Sequence, residues 1–301
     1  MTGTSISFRK DGKGGASGKF AGVNQMLKNI APKIDTLAEG PSWDTKRGRL
    51  YWVDIPARRF HYMDWESGQI STVETGDIMT SLYPDGNGGY MGTTSDSFIR
   101  MDPENGSVSP IAKVDIPGQK VRFNDGKCDS YGNYWAGTMD RGEKEKIGKL
   151  YALDNHGKIW TLLENLTISN GLCWDMDKKL FYHIDTPTRK VDVYDYDPGK
   201  LEIWNRRTAV DFGTLPGNPD GMTIDSRGNL WVAHWGGGCI SQWDPGRGEM
   251  IRTIKIPAKN VTSCAFGGLE MENLFITTAQ VQGNELENDM GGSVFVVDEH
   301  F

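Results

Sequence analysis

Short hydrophobic segments recur along the chain at nearly constant intervals, and most of them follow a turn that contains glycine or polar residues. The last residue of each segment is large and apolar, and these residues are Tyr51, Met91, Trp135, Phe181, Trp231 and Phe275. The intervals between them are 40, 44, 46, 50 and 44 residues. Further short strand patterns follow, as in residues 97–100, 148–151 and 190–193. About six repeats of four short strands are typical of a β-propeller.

We therefore predict an all-β fold, a six-bladed β-propeller with four-stranded antiparallel blades around a central channel. The blades are expected to begin near residues 39, 80, 124, 170, 220 and 262. No amphipathic helical pattern is long enough to connect parallel strands, which argues against an α/β fold. Residues 34–37 form a strand-like segment before the first repeat, and we expect this segment to pair with the last blade and close the ring.

The N-terminal residues do not follow the repeat. Residues 1–20 are rich in glycine, serine and lysine and contain no apolar central run, so we expect a flexible tail rather than a secretory signal. Residues 21–30 are compatible with a short helix that covers the channel mouth. The expected division is a tail with a possible lid helix over residues 1–30 and a propeller domain over residues 31–301.

Composition and charge narrow the classes of partner. The chain of 301 residues carries a formal net charge of −7, so we expect no nucleic-acid partner and no anionic membrane surface. The four cysteines are widely spaced and form no CxxC pair, which argues against a thiolate metal site and a disulfide framework. No apolar run reaches the roughly 18 residues of a membrane helix. We expect reduced thiols and a cytoplasmic protein.

One register of the repeats is polar where core packing would require apolar side chains. In four repeats a carboxylate or amide side chain stands five positions before an aspartate. With two weaker repeats, the predicted ring is Glu39, Thr80, Asn124, Asn170, Asp220 and Thr262. Innermost propeller strands line the channel, so these side chains are expected to converge, and a hard divalent cation would offset the buried carboxylates. The alternative is ordinary turn chemistry, since Asp and Asn often precede Gly in turns.

Arg122 is a candidate for ligand binding beside this ring. It stands two positions before Asn124, and side chains at i and i+2 share one face of a strand. An arginine beside a metal suits an anionic or carbonyl-bearing ligand, and the alternative is a salt bridge to a neighbouring acid. His183 and His234 are weaker candidates that we expect to be structural. The sequence contains no GxSxG nucleophile elbow.

Six segments resemble the SMP-30/gluconolactonase/luciferin-regenerating enzyme family. They are EGPSWD (39–44), RFNDGK (122–127), AGTM (136–139), SNGL (169–172), PDGM (219–222) and VTSCAFGG (261–268). The resemblance implies a six-bladed propeller that hydrolyses aldonolactones to aldonic acids with one divalent metal ion, which could be Ca, Zn, Mg, Mn or Fe. It implies metal ligands and substrate-binding residues, and these are Glu39, Asn170 and Asp220 for the metal and Arg122 and Asn124 for the substrate.

One departure from the family pattern follows the AGTM segment. Some members place a substrate-holding glutamate shortly after it, whereas this chain has Asp140, Arg141, Gly142 and Glu143. The equivalent residue and the preferred sugar therefore stay open.

The expected mechanism is polarisation of the lactone carbonyl by the metal while Asp220 takes a proton from the attacking water. The alternative is direct activation of the water by the metal, because a carboxylate that binds a metal is a weaker base. The expected partner is a small sugar lactone, and the chain is expected to be a monomer or a weak homo-oligomer. Two other functions stay open, a non-catalytic propeller that binds ligands or proteins and a metal-dependent esterase that acts on a non-sugar ester.

Overall fold

The chain folds into six antiparallel sheets of four strands each, arranged around a central channel. The computed structural model describes residues 26–86, 88–102, 106–117, 119–281 and 288–298. The innermost strand of every sheet contacts the innermost strand of the next sheet, and the last contacts the first. The predicted six-bladed β-propeller is confirmed. No helix in these ranges is long and apolar enough to span a membrane.

The strands follow the chain from blade to blade, and within each blade they run from the channel outwards. The first strand of the chain is β1 (Met26–Ala31). Blade 1 contains β2 (Ala38–Asp44), β3 (Arg49–Asp54), β4 (Arg59–Asp64) and β5 (Ile70–Glu74). Blade 2 contains β6 (Ser81–Pro84), β7 (Tyr90–Thr93), β8 (Ser97–Met101) and β9 (Val108–Lys113). Blade 3 contains β10 (Val121–Cys128), β11 (Tyr134–Asp140), β12 (Gly148–Leu153) and β13 (Ile159–Leu166).

The second half of the ring repeats the same order. Blade 4 contains β14 (Ser169–Asp175), β15 (Leu180–Asp185), β16 (Lys190–Asp197) and β17 (Glu202–Asp211). A single turn of 3-10 helix, Thr186–Thr188, follows β15. Blade 5 contains β18 (Asn218–Ile224), β19 (Leu230–Trp235), β20 (Cys239–Asp244) and β21 (Glu249–Lys255). Blade 6 contains β22 (Asn260–Gly267), β23 (Asn273–Ala279), β24 (Val294–Asp298) and, as its outermost strand, β1.

The N-terminal strand closes the ring, but it is not the segment that the sequence predicted. Residues 26–31 pair with β24, so the expected helix over residues 21–30 is wrong for residues 26–30, and residues 21–25 lie outside the described ranges. Residues 34–37 instead cross from blade 6 to blade 1. They touch the last blade through an isolated bridge between Leu37 and Ala279 and a hydrogen bond from the Asp35 amide to the Gly292 carbonyl (3.1 Å).

The aspartates that end the repeated motif have a structural role at the distal end of the channel. The indoles of Trp135 and Trp231, both fully buried, donate from Nε1 to Oδ2 of Asp129 and Asp225, each over 3.0 Å. Asp129 also accepts from the backbone amide of Asn133 (2.9 Å) in the turn that follows. The five-residue spacing therefore spans the inner strand, with the ring position at its start and a turn-stabilising aspartate at its end.

Candidate active site

Each inner strand that carries an acidic or amide ring residue is distorted directly after that residue. The pairing register shifts within Glu39–Ser42, Phe123–Gly126, Ser169–Leu172 and Pro219–Met222. A β-bulge of this kind bends the strand and redirects a side chain, and bulges are common beside functional sites. The same local feature therefore recurs at Glu39, Asn124, Asn170 and Asp220.

Glycine follows three of the four acidic or amide ring residues, and at Gly171 and Gly221 neighbouring inner strands meet closely. A Cβ atom on Gly171 would lie 2.6 Å from the carbonyl oxygen of Asp220 and 2.8 Å from the amide nitrogen of Met222. A Cβ on Gly221 would collide with the side chain of Ser263. The pairs Asn170-Gly171 and Asp220-Gly221 thus combine a side chain at the cavity with a close approach between blades.

The four acidic or amide residues of the ring and Arg122 line a single cavity of about 320 Å³, at the end of the channel where the inner strands begin. The described residues of its wall are Leu37, Glu39, Ile55, Arg122, Asn124, Met139, Glu143, Ile168, Asn170, Thr186, Pro187, Asn218, Asp220 and Trp235. The residues that the family resemblance implies for the metal and the substrate, Glu39, Asn170, Asp220, Arg122 and Asn124, all line this cavity.

Thr80 and Thr262 are not part of the cavity wall, so the prediction of a six-membered ring is wrong at these two positions. Thr80 shares a hydrogen bond with the hydroxyl of Thr93 (2.8 Å). Thr262 donates to the carbonyl of Ala38 (2.6 Å), which lies in the neighbouring blade. Both hydroxyls are buried and hydrogen-bonded to strands, so these threonines join strands instead of binding a ligand.

Three neighbouring carboxyl groups, Glu39, Asp125 and Asp220, have raised pKa values. Burial raises the pKa of Glu39 to about 8, and the charge of Asp125 adds to the effect. Burial also raises the pKa of Asp220 well above its usual value, with further contributions from Glu39 and Asp125. The pKa of Asp125 is itself raised by burial. Burial and neighbouring negative charge therefore oppose ionisation of this cluster, and a bound cation would relieve that condition.

The residues present fit a divalent metal ion. Glu39, Asn170 and Asp220 supply two carboxylates and an amide, and a hard cation prefers such oxygen donors. A hydrogen bond from Asn170 lowers the pKa of Asp220, which links these two side chains directly. Asn170 also donates from Nδ2 to Oγ1 of Thr186 (3.1 Å), and Thr186 donates to the carbonyl of Pro219 (2.9 Å). The amide is thus oriented by hydrogen bonds that connect blades 4 and 5.

Arg122 is held at the cavity wall by its own strand. Its Nη1 donates to the carbonyl of Phe123 (2.8 Å) and to Oδ1 of Asn124 (2.9 Å). Burial lowers the pKa of Arg122 to about 10, and Arg141 lowers it further, whereas Glu39 and Glu143 raise it. The guanidinium therefore stays charged at neutral pH and provides a cation for an oxygen-rich ligand.

Glu143 lies in the cavity wall, in the stretch after AGTM where the sequence left the substrate-holding residue open. Its backbone is left-handed, with φ of 59°, in the loop after β11. Asp140 holds this loop by accepting hydrogen bonds from the amides of Gly142 (3.1 Å), Lys144 (2.9 Å) and Glu145 (2.8 Å). No sequence signal indicated the left-handed turn, because such a conformation is unusual for glutamate.

The two candidate histidines are structural and do not line the cavity. His183 is buried, and its Nε2 shares a hydrogen bond with Oγ of Ser169 (2.8 Å). Burial lowers the pKa of His183 to about 3, so its ring is neutral. His234 contacts the carbonyl of Pro216 (2.9 Å) and the hydroxyl of Ser241 (2.7 Å).

A second group of chelating side chains, Asp35, Asp54 and His61, is buried in blade 1 with donor atoms within 4.8 Å of one another. These carboxylates already have partners. Asp54 accepts from Arg59 (3.0 Å), Asp35 accepts from Trp52 (3.0 Å), and Oδ1 of Asp35 lies 2.8 Å from Nε2 of His61. We interpret this group as a network that anchors the segment between β1 and β2.

The chain is similar in sequence to proteins of one family over most of its length. The profile of the SMP-30/Gluconolactonase/LRE-like region matches residues 37–280, which include every residue of the predicted site. A protein of Bacillus subtilis (strain 168), provisionally named sugar lactone lactonase YvrE, is 39% identical over 251 residues, covering 83% of this chain and 86% of that protein.

Two further comparisons extend over most of the chain. Regucalcin of Homo sapiens is 35% identical over 261 residues, covering 84% of this chain and 87% of regucalcin. The solved structure of a luciferin-regenerating enzyme has a TM-score of 0.85 and 31% sequence identity, and the match covers 92% of this chain and 98% of that one.

Proposed function

This chain belongs to the SMP-30/gluconolactonase/LRE-like family, and on that basis we propose that it is a divalent-metal-dependent lactonase that opens a sugar lactone to the aldonic acid. The observation that carries the proposal is one cavity in which Glu39, Asn170 and Asp220 lie together with Arg122 and Glu143. The provisional name of the Bacillus subtilis relative supports a sugar lactone as substrate.

Glu39, Asn170 and Asp220 are the proposed metal ligands. Oxygen donors favour Ca, Mg or Mn, and they are also compatible with Zn or Fe. An ion held by these residues would supply Lewis acidity, which would offset the negative charge that develops on the lactone carbonyl oxygen. The double positive charge of such an ion would also relieve the repulsion among Glu39, Asp125 and Asp220.

Asp220 is the proposed general base. Its carboxylate lines the cavity that would hold the substrate, so it is placed to accept a proton from a water molecule there. Asp220 takes a proton from water as the water oxygen forms a bond to the carbonyl carbon. The bond between that carbon and the ring oxygen then breaks, and the proton passes to the ring oxygen. The product is an open-chain hydroxy acid.

Arg122, Asn124 and Glu143 orient the substrate. Arg122 uses Nη1 for contacts within the protein. Its Nε and Nη2 groups have no acceptor among the described residues and remain available to substrate oxygens. Glu143 lies on a loop that Asp140 holds in place, and its carboxylate provides an acceptor for substrate hydroxyl groups. Orientation by several fixed groups contributes to the rate because the reacting atoms no longer have to find each other.

The paired variants Asp220→Asn and Asp220→Ala test this function together with the role of the base. The amide introduced by Asp220→Asn keeps a ligand oxygen but cannot accept a proton, whereas Asp220→Ala removes both the ligand and the base. We expect Asp220→Asn to retain metal, measured by elemental analysis, and to lose kcat by about 10²- to 10⁴-fold. Retained metal with kcat within threefold of wild type would instead support activation of water by the metal alone.

A panel of sugar lactones and aryl esters, assayed on protein of measured metal content, tests the competing functions. Turnover of sugar lactones well above that of aryl esters supports the proposal. The reverse preference would identify an esterase for non-sugar esters, and bound metal without turnover of either class would indicate a non-catalytic propeller. We further propose a monomer or weak homo-oligomer in a reducing compartment such as the cytoplasm, which the four free cysteines support.

A further inference from the structure

Part of the cavity wall is formed by Asn218 and Trp235, neither of which belongs to the predicted ring. Asn218 is the first residue of β18 and Trp235 is the last residue of β19, and the two pair directly across these strands. Both are partly exposed and both line the cavity. Asp220 is two residues after Asn218 and lines the same cavity. Asn218 and Trp235 therefore belong to the wall that carries the proposed general base.

Arg189 orients the amide of Asn218. Its Nη1 donates to Oδ1 of Asn218 (2.6 Å) and to the carbonyl of Gly217 (2.8 Å). Its Nη2 donates to the carbonyl of Leu215 (2.7 Å), and its Nε donates to that of Gly213 (3.1 Å). Because a guanidinium only donates, the oxygen of the Asn218 amide faces Arg189 and the Nδ2 group faces away from it. In the described part of the chain that Nδ2 group has no acceptor.

A second anchor holds the same loop from the side of Trp235. Nδ1 of the adjacent His234 donates to the carbonyl of Pro216 (2.9 Å), and Nε2 accepts from the hydroxyl of Ser241 (2.7 Å). A carbonyl can only accept, which places the hydrogen on Nδ1, and burial lowers the pKa of His234 so that the ring is neutral. The loop before β18 is thus fixed at both flanks, and Asn218 and Trp235 are preorganised.

The chemistry of this pair suits one class of ligand. Trp235 is the only aromatic residue among the described residues of the wall, and an indole combines a broad apolar face with a polar N–H group. A sugar ring presents C–H groups on its faces and hydroxyl groups at its edge. An indole face beside a fixed amide N–H donor matches both surfaces. The cavity of about 320 Å³ is at the small end of ligand sites, roughly 300–1,000 Å³, which suits one monosaccharide ring.

We propose that Asn218 and Trp235, positioned by Arg189, form a polyol-recognition subsite that selects lactones with ring hydroxyl groups over unsubstituted lactones with the same carbonyl. This inference rests on the proposed lactonase function. Asn218 donates through Nδ2 to a ring hydroxyl, and Trp235 packs against the C–H face. An unsubstituted lactone leaves the amide without its partner, and an unpaired polar group in a binding site costs affinity.

The kinetic test compares D-glucono-1,5-lactone with δ-valerolactone, which has the same six-membered ring and ester but no hydroxyl groups. Asn218→Leu is expected to lower kcat/KM for gluconolactone about tenfold and to leave δ-valerolactone within about twofold. Trp235→Ala is expected to act in the same direction, and Trp235→Phe to recover part of the loss. Asn155→Leu, an exposed change on the distal face, is the matched control for the loss of an asparagine.

Parallel losses on both substrates would show a general structural role and overturn the subsite. Unchanged kcat/KM on both substrates would also overturn the subsite. A wild-type protein that hydrolyses neither lactone above background overturns the proposed function, and the subsite is then decided by binding. Calorimetry with D-gluconate and 5-hydroxyvalerate supplies that readout. We expect wild type to bind gluconate at least about tenfold more tightly, and Asn218→Leu to remove that difference. Equal affinities in wild type would overturn the subsite independently of turnover.

Discussion

Nη1 of Arg122 donates to Oδ1 of Asn124 over 2.9 Å, and Nδ2 of Asn124 donates to the carbonyl of Ser169 over 3.0 Å. Ser169 begins the inner strand of the next blade, so a continuous chain of hydrogen bonds runs from the guanidinium across two blades. Asn124 therefore does more than face the substrate. It fixes Arg122 relative to Asn170, which follows Ser169 and belongs to the proposed metal site.

A double-mutant cycle with Arg122→Ala and Asn124→Ala tests this coupling. If Asn124 acts mainly through Arg122, each single variant should lose about 30-fold or more in kcat/KM. The double variant should then be little less active than the less active single variant, because the effects of coupled residues are not additive. The measurement is kcat/KM on a sugar lactone at fixed metal concentration. Losses that multiply would show that the two residues contact the substrate independently.

The raised pKa of Glu39 predicts how stability depends on pH in metal-free protein. The folded value is about 8 and the ordinary value is 4.5, so between these values the folded state binds protons that the unfolded state has lost. The stabilisation is complete below about pH 4.5 and is lost as pH rises through 8. Because Glu39 is partly exposed, we expect a decrease on the order of 3 kcal/mol.

Urea unfolding from pH 5 to pH 9 in the presence of EDTA measures this decrease. Glu39→Gln removes the titrating group, so its free energy of unfolding should vary less over this range than that of wild type. Added divalent metal should stabilise wild type most at the alkaline end, where its ligands are ionised. A wild-type stability that rises from pH 5 to pH 8 without metal would contradict the assignment of the raised pKa.

Gly171 is predicted to tolerate no side chain. The Cβ of Gly171→Ala would lie 2.6 Å from the carbonyl oxygen of Asp220, which is backbone and cannot move freely. We expect a loss of about 1–3 kcal/mol in the free energy of unfolding and weaker metal binding, since the substitution displaces the bulge that carries Asn170. Gly199→Ala is the control, because its Cβ meets only a side-chain oxygen at 3.4 Å on an exposed turn. Equal stability of the two variants would show that blade contact at Gly171 is not tight.

The buried pair of Asp35 and His61 is predicted to stabilise ring closure. His61→Ala removes the 2.8 Å partner of Oδ1 of Asp35, and a buried polar atom that loses its partner costs about 1–3 kcal/mol. The exposed control His156→Ala should stay within about 0.5 kcal/mol of wild type. Chemical denaturation measures both variants, and the bound metal per folded chain should be unchanged. Loss of metal from His61→Ala at unchanged stability would move the metal site to blade 1.

The regular part of the fold could be predicted from the sequence because each blade repeats the same local pattern. The strand that closes the ring could not be predicted in this way. Residues 26–31 and residues 34–37 are both short segments with strand-like character, and the choice between them depends on pairing with β24 at the far end of the chain. Local pattern carries little information about a pairing over such a separation.

The candidate site was predictable where one register carries acidic or amide side chains. The prediction missed residues where the backbone is irregular. Asp125 follows Asn124 directly, so strict alternation would turn it away from the channel. The bulge between Phe123 and Gly126 breaks that alternation, and Asp125 interacts electrostatically with Glu39. The left-handed turn at Glu143 is a second irregularity of this kind. Thr80 and Thr262 had the right register, but their hydroxyls are satisfied by neighbouring strands.

The central claim is that Glu39, Asn170 and Asp220 hold one divalent ion that lactone hydrolysis requires. Titration of a divalent metal salt into EDTA-stripped protein, followed by turnover of a sugar lactone, tests it directly. We expect wild type to be inactive when stripped and to recover full turnover at one ion per chain, while Glu39→Gln needs at least about tenfold more metal. Full turnover of stripped wild type, or an identical titration for Glu39→Gln, would contradict the claim.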